Sequence, residues 1–117
     1  MLPNKYRLKK RNAFTATYRT GNSCYMNGIT VFSGKLKKDN SPTKVGFVVS
    51  KKVHKRAVKR NRIRRLMRES LRLYIKENGV LDSKYMSLIF VGSAKLLNSK
   101  FNDVDIIIRK IMSKIND

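Results

Sequence analysis

The chain has 117 residues, 28 of them Lys or Arg and 7 Asp or Glu, for a formal charge of +21. That length supports one domain with a single modest core, and an apolar share of 41% excludes a merely disordered basic tail. One cysteine and one histidine exclude an internal disulfide and a tetrahedral zinc site, and no apolar run approaches the ~20 residues needed to span a bilayer.

In chain order, MLPNKYRLKK has no apolar stretch after its basic residues, so no secretory signal is expected. With a lone cysteine this predicts a reducing, cytoplasmic setting. Asn12 is placed to cap a short helix through Arg19, with Phe14 and Tyr18 one turn apart on one face. Gly21 marks a loop at 20–23. Residues 26–35 alternate, Ile29 and Val31 on one side and Thr30 and Phe32 on the other, which predicts a strand. The stretch 25–36 is either one strand or two, split at Asn27-Gly28. Cys24 lies in this region as a small, half-buried hydrophobe.

A second loop follows at 37–44, KKDNSPTK, and VGFVVS (45–50) and MSLIFVG (86–92) read as short central strands. Between them, Ile63, Leu66, Met67, Leu71, Tyr74 and Ile75 recur at three- and four-residue steps, predicting a helix over 57–77 with Arg62, Arg65, Arg68 and Arg72 on its outer side. A third loop is expected at 78–84. Val104, Ile107, Ile108, Ile111 and Ile115 predict a packing helix over 101–115. The order suits an α+β sandwich, one mixed sheet with helices on it. Strand 45–50, the helix after it and strand 86–92 could form a parallel crossover unit, whose default hand would be right.

Charge is unevenly placed. Residues 1–76 hold 22 basic and 2 acidic side chains, whereas 77–117 hold 6 and 5. The stretch 49–70 alone has ten Lys or Arg and one acid, Glu69. Like charges at i,i+4 destabilise a helix by about 0.2–0.5 kcal/mol per pair, and Arg60, Arg64, Arg68 and Arg72 form a row of such pairs. A polyanion would neutralise them, and the predominance of arginine favours forked contact with phosphate. Nucleic acid is the partner this pattern implies. Catalysis by the chain itself is not expected: the acids are scattered, Asp103 and Asp105 suit a helix N-terminus, and His54 stands alone among cations that disfavour its charged form.

SKKVHKRAVKRNRIRRLMRESLRL, residues 50–73, resembles the signature of the bacterial ribonuclease P protein subunit: a Lys-Lys pair, a short loop, an Ala, then Arg-Asn-Arg, Ile and a basic pair opening a helix. Lys51, Lys52, Ala57, Arg60, Asn61, Arg62, Ile63, Arg64 and Arg65 match it, with Arg64 where lysine is commoner. RLKKRNAFTATYRTG (7–21) is similar to the family's basic N-terminal helix, and VGFVVSKK to the strand leading into the signature. The resemblance covers about three quarters of the chain; from Met86 onward it rests on pattern and length.

The resemblance implies a single RNA-binding domain over 1–117, a two-layer α/β sandwich of ribosomal-protein type. It implies a mixed four-stranded sheet, three helices in the order α-β-β-β-α-β-α, and a left-handed crossover. The implied function is that of a cytoplasmic ribonucleoprotein endoribonuclease removing the 5′ leader of precursor tRNA. There a large RNA carries the active site and holds Mg2+, and the protein binds that RNA and the leader. Arg60, Asn61, Arg62, Arg64, Arg65 and Arg68, flanked by Lys51 and Lys52, would contact the catalytic RNA. Phe14, Tyr18, Thr30 and Phe32 would line the leader groove, where stacking tolerates any sequence. No metal ligand or catalytic residue is implied in the protein, and neither an obligate protein partner nor a membrane. A ribosomal or ribosome-assembly protein is the alternative with the same charge, size and sandwich.

Overall fold

The computed structural model of the chain describes residues 2–79, 81 and 83–116. Its elements run α1 (Arg11–Arg19), β1 (Asn22–Met26), β2 (Ile29–Ser33), β3 (Lys44–Val48), α2 (Ala57–Asn78), β4 (Ser87–Gly92) and α3 (Phe101–Ile115), with 3₁₀ turns at Asn4–Tyr6 and Ala94–Leu96. This is the expected order. The two long helices begin where the hydrophobic period places them. Val80 and Asp82, in the loop predicted at 78–84, lie outside the described residues.

β3 runs Lys44–Val48 rather than 45–50 and β4 begins at Ser87 rather than Met86; two other boundaries differ for a structural reason. Asn12 is the second residue of α1, and Lys10 is the N-cap, without a side-chain bond. The chain is already pinned just upstream: Arg7 bridges Val45, and Leu8 N donates to Val45 O at 3.0 Å. It therefore turns into the helix immediately. The loop expected at 20–23 ends sooner, because β1 starts at Asn22 and pairs back to Ser33. What settles this is the turn between β1 and β2. Asn27 and Gly28 both have positive φ, 47° and 102°, as a two-residue hairpin requires. The split at Asn27-Gly28 is the one that occurs.

The sheet order is β1-β2-β4-β3. β1 and β4 pair antiparallel with β2, and β3 pairs parallel with β4, so the sheet is mixed and β3-α2-β4 is the predicted crossover. Alternation then sorts residues between two faces. On one, Ile29, Val31, Val45, Leu88 and Phe90 pack under Ile63, Met67, Leu71 and Ile75 of α2 and Val104, Ile108, Ile111 and Met112 of α3, all buried. Thr30, Phe32, Val48 and Val91 share the other face. α1 crosses it, with Leu8 packed beside Phe14 over Gly46, and these four residues are partly buried.

That crossing depends on Gly46. A Cβ there would lie 2.6 Å from the Phe14 ring, so any other residue would have to push aside that ring or the helix that carries it. Thr17 Oγ1 and Ser87 Oγ, 2.6 Å apart, tie helix to strand beside it.

Candidate nucleic-acid interface

The first turn of α2 contains no acid and its N-cap, Arg56, makes no side-chain cap bond. Helix dipole and side chains thus add the same sign of charge at one end. The four arginines that repel one another on paper each find a different acceptor. Arg60 Nη1 donates to His54 O and Lys55 O, both at 2.9 Å. Arg64 donates to Val49 O at 3.1 Å and to the Asn61 side chain. Arg68 stands 6.0 Å from the Phe47 ring centroid, within cation–π range, and Arg72 pairs with Glu69. The protein therefore relieves part of the repulsion itself.

These bonds shape the loop between β3 and α2. Carbonyls of residues 49, 54 and 55 point at guanidinium groups, while Lys51 and Lys52 are left exposed. His54 is used locally, its Nδ1 accepting Arg56 N–H at 3.0 Å. Asn61, Arg62 and Arg65 are exposed, and Arg60, Arg64 and Arg68 partly so. All eight residues predicted for this surface fall on the loop and the outer side of α2.

Arg62 reaches further than its position suggested, donating to Leu97 O at 3.2 Å and Ser99 O at 2.7 Å. It joins α2 to the connection between β4 and α3. Arg62→Ala with Arg65→Ala is expected to leave the protein folded but about 1 kcal/mol less stable in urea denaturation, because charged donors at an exposed site are removed. Lysine at 62 should recover little, since it cannot fork across two carbonyls.

The acids near α3 divide between two jobs. Asp103 Oδ2 accepts Lys100 N–H at 3.0 Å at the helix start, as expected. Asp105 instead accepts from Ser70 Oγ at 2.7 Å and Arg109 Nε at 3.0 Å. Ser70 is fully buried in the α2–α3 contact, so its hydroxyl needs a partner.

On the open sheet face, Tyr18 of α1 meets Phe32 of β2 edge to face, centroids 4.9 Å apart at 74°. Tyr18 is 39% exposed, and partial burial raises its phenol above the ordinary pKa, leaving it a hydrogen-bond donor. Thr30 continues the floor between Tyr25 and Val91. Phe14 sits at the far end, in a cavity of about 310 Å³ shared with Arg7, Phe47 and Arg68. The aromatic face and the arginine face therefore meet at Phe14 and Arg68.

Sequence reading missed Tyr25 and Arg7. Tyr25 is 57% exposed opposite Thr30. Alternation would have found it had the strand been extended back to Asn22. Arg7, which donates from Nε to Leu2 O at 2.8 Å, carries no sequence signal beyond general charge.

Among the described residues no group of three or more His, Cys, Asp or Glu is placed to hold a metal ion. No helix among them is long and apolar enough to cross a membrane.

The Ribonuclease P family model matches residues 2–116. The ribonuclease P protein component of an Exiguobacterium species is 46% identical over 102 residues, covering 87% of this chain and 85% of that protein. Its counterpart from a Synechococcus species is 34% identical over 116 residues, covering 97% and 84%. The solved ribonuclease P protein of Thermotoga maritima shares the fold with a TM-score of 0.76 at 23% identity, covering 95% of this chain and 98% of that one. Charge, size and sandwich left a ribosomal alternative open, but the match along nearly the whole sequence decides against it: the chain belongs to the ribonuclease P protein family.

Proposed function

We propose that this chain, a protein component of ribonuclease P, acts as one RNA-binding domain with two working surfaces. The loop and outer side of α2 hold the catalytic RNA. Lys51, Lys52, Arg65 and Arg68 face its phosphates, and Arg60, Asn61, Arg62 and Arg64 both shape that surface and contribute charge. The open sheet face, with Phe14, Tyr18, Thr30 and Phe32, takes the 5′ leader of precursor tRNA. The RNA performs the hydrolysis and holds the Mg2+ that assists it, and the particle works in the cytoplasm. The supporting observation is the junction of the two surfaces at the cavity shared by Phe14 and Arg68, which lets one domain touch the catalytic RNA and its substrate together.

Stacking on aromatics is worth about 1–3 kcal/mol per base and is indifferent to sequence, which suits leaders that differ between tRNAs. The arginine surface supplies a different kind of binding, one governed by counterion release. The test is reconstitution. Added to a bacterial ribonuclease P RNA at low magnesium, the protein should restore cleavage of precursor tRNA at the mature 5′ end. The log of its affinity for that RNA should fall linearly with log salt, by about 0.9 for each phosphate neutralised. No rescue of cleavage, or a slope near zero, would refute the reading.

A further inference from the structure

α1 divides the open sheet face. Phe14 and Tyr18 look to one side of it. On the other, Ala13, Ala16 and Thr17 border a cavity of about 310 Å³ with Gly34, Lys44 and Met86, next to one of about 540 Å³ under residues 35–44. That segment carries Lys35, Lys37, Lys38 and Lys44 against one acid, Asp39. Asp39 turns inward on its own loop, accepting Ser41 N–H at 2.9 Å. Among the described residues the ion pairs involve only Arg72, Arg109 and their carboxylates; Lys37 acts electrostatically on Asp39, and no salt bridge among the described residues holds Lys35, Lys38 or Lys44.

The backbone that carries these lysines is pinned at both ends. Gly34 N donates to Ser87 O, Met86 N to Lys35 O and Lys37 N to Lys84 O, all at 2.8–2.9 Å, and Lys44 N to Met86 O at 3.1 Å. Both ends of the loop are thereby fixed to the approach to β4. Between the charges stand two exposed apolar side chains, Leu36 at 61% and Met86 at 52%. A row of cations on a pinned loop beside apolar surface fits a single-stranded polynucleotide better than a folded acidic protein, because the phosphates can meet the lysines while unpaired bases lie against Leu36 and Met86.

The surface continues from the groove. Arg19 follows Tyr18 and shares a concavity with Lys35, floored by the small residues Thr15 and Ala16. Lys35 in turn lines both cavities beyond α1. We propose that the leader strand, after leaving Tyr18 and Phe32, crosses α1 at Arg19 and Lys35 and binds with its distal, single-stranded part on Lys37, Lys38 and Lys44 beside Leu36 and Met86. This extends the groove reading above and rests on it.

The experiment uses the reconstituted complex with mature tRNA and with precursors bearing leaders of about 4 and about 16 nucleotides, the span of single-strand sites on one small domain. Its variant is Lys35→Gln/Lys37→Gln/Lys38→Gln/Lys44→Gln, with Lys37→Gln/Lys38→Gln as a milder form and circular dichroism to confirm folding. Affinity for the long-leader precursor should fall several-fold, and its salt slope by about 0.7 for each single-strand phosphate that is no longer neutralised. The short-leader precursor and mature tRNA should bind as before. Equal weakening on all three RNAs, no weakening on any, or a change in self-association of the protein alone would each overturn the proposal. If the unaltered complex fails to distinguish leader-bearing from mature tRNA, the parent reading falls. If it distinguishes them and the lysine variants change nothing, only the extension falls.

Discussion

Phe90→Ala is expected to cost about 3–5 kcal/mol of stability, the range for removing a fully buried aromatic side chain. Phe90 has no exposed surface and sits at the middle of β4, paired with Val31 on one side and Phe47 on the other. Its ring lies 5.7 Å from that of Phe47 and belongs to the cluster that joins the sheet to α2 and α3. Alanine would leave a hole that several rigid elements surround, and close-packed elements relax only in part. Urea denaturation should show the loss. Affinities for catalytic RNA and precursor tRNA should fall together, in proportion to the fraction unfolded. A loss below about 1 kcal/mol would mean that the sheet and helices pack less closely than their burial indicates.

How much of this was legible in the sequence follows from how each element is buried. α2 and α3 bury one face, so a 3.6-residue period betrays them, and β2 has one face in the core and one half-open, so Ile29 and Val31 separated cleanly from Thr30 and Phe32. β4 buries Leu88, Ile89 and Phe90 in succession, which erases the alternation, and only the apolar run remained to mark it. β1 was harder. Its residues are exposed or only half-buried, so period gave no start point, and pairing from the Asn27-Gly28 turn set it. The basic surface was legible as charge and spacing. Most of its internal bonds were not, because apart from the Asn61 side chain beside Arg64 the acceptors of Arg60, Arg62 and Arg64 are backbone carbonyls, which any sequence supplies.

The lysine loop illustrates the same limit in reverse. The reading of 37–44 as a loop holds up to Thr43, with Lys44 opening β3, and its composition marked it as a turn region. Nothing in the sequence placed Lys35 and Lys44 beside α1, since their meeting depends on β3 lying next to β4 rather than next to β2. A crossover connection brings together residues that periodicity cannot relate.

Phe32 offers the sharpest separation between support and recognition. It is partly buried, and its main ring partner is Tyr18 rather than the core. Such an aromatic pair contributes about 0.5–1.5 kcal/mol, so Phe32→Ala should lower the melting temperature by only a few degrees. Removing a stacking platform costs about 1–3 kcal/mol per base, which corresponds to roughly five- to more than a hundredfold in affinity. That weakening should appear for precursor tRNA carrying a leader and be absent for mature tRNA, while binding to the catalytic RNA stays intact because Phe32 lies on the opposite sheet face from α2. Tyr18→Ala should reproduce the pattern, since each ring holds the other at its angle. If Phe32→Ala instead melts far earlier and weakens every RNA equally, Phe32 serves the fold, and the leader must be held elsewhere on the chain.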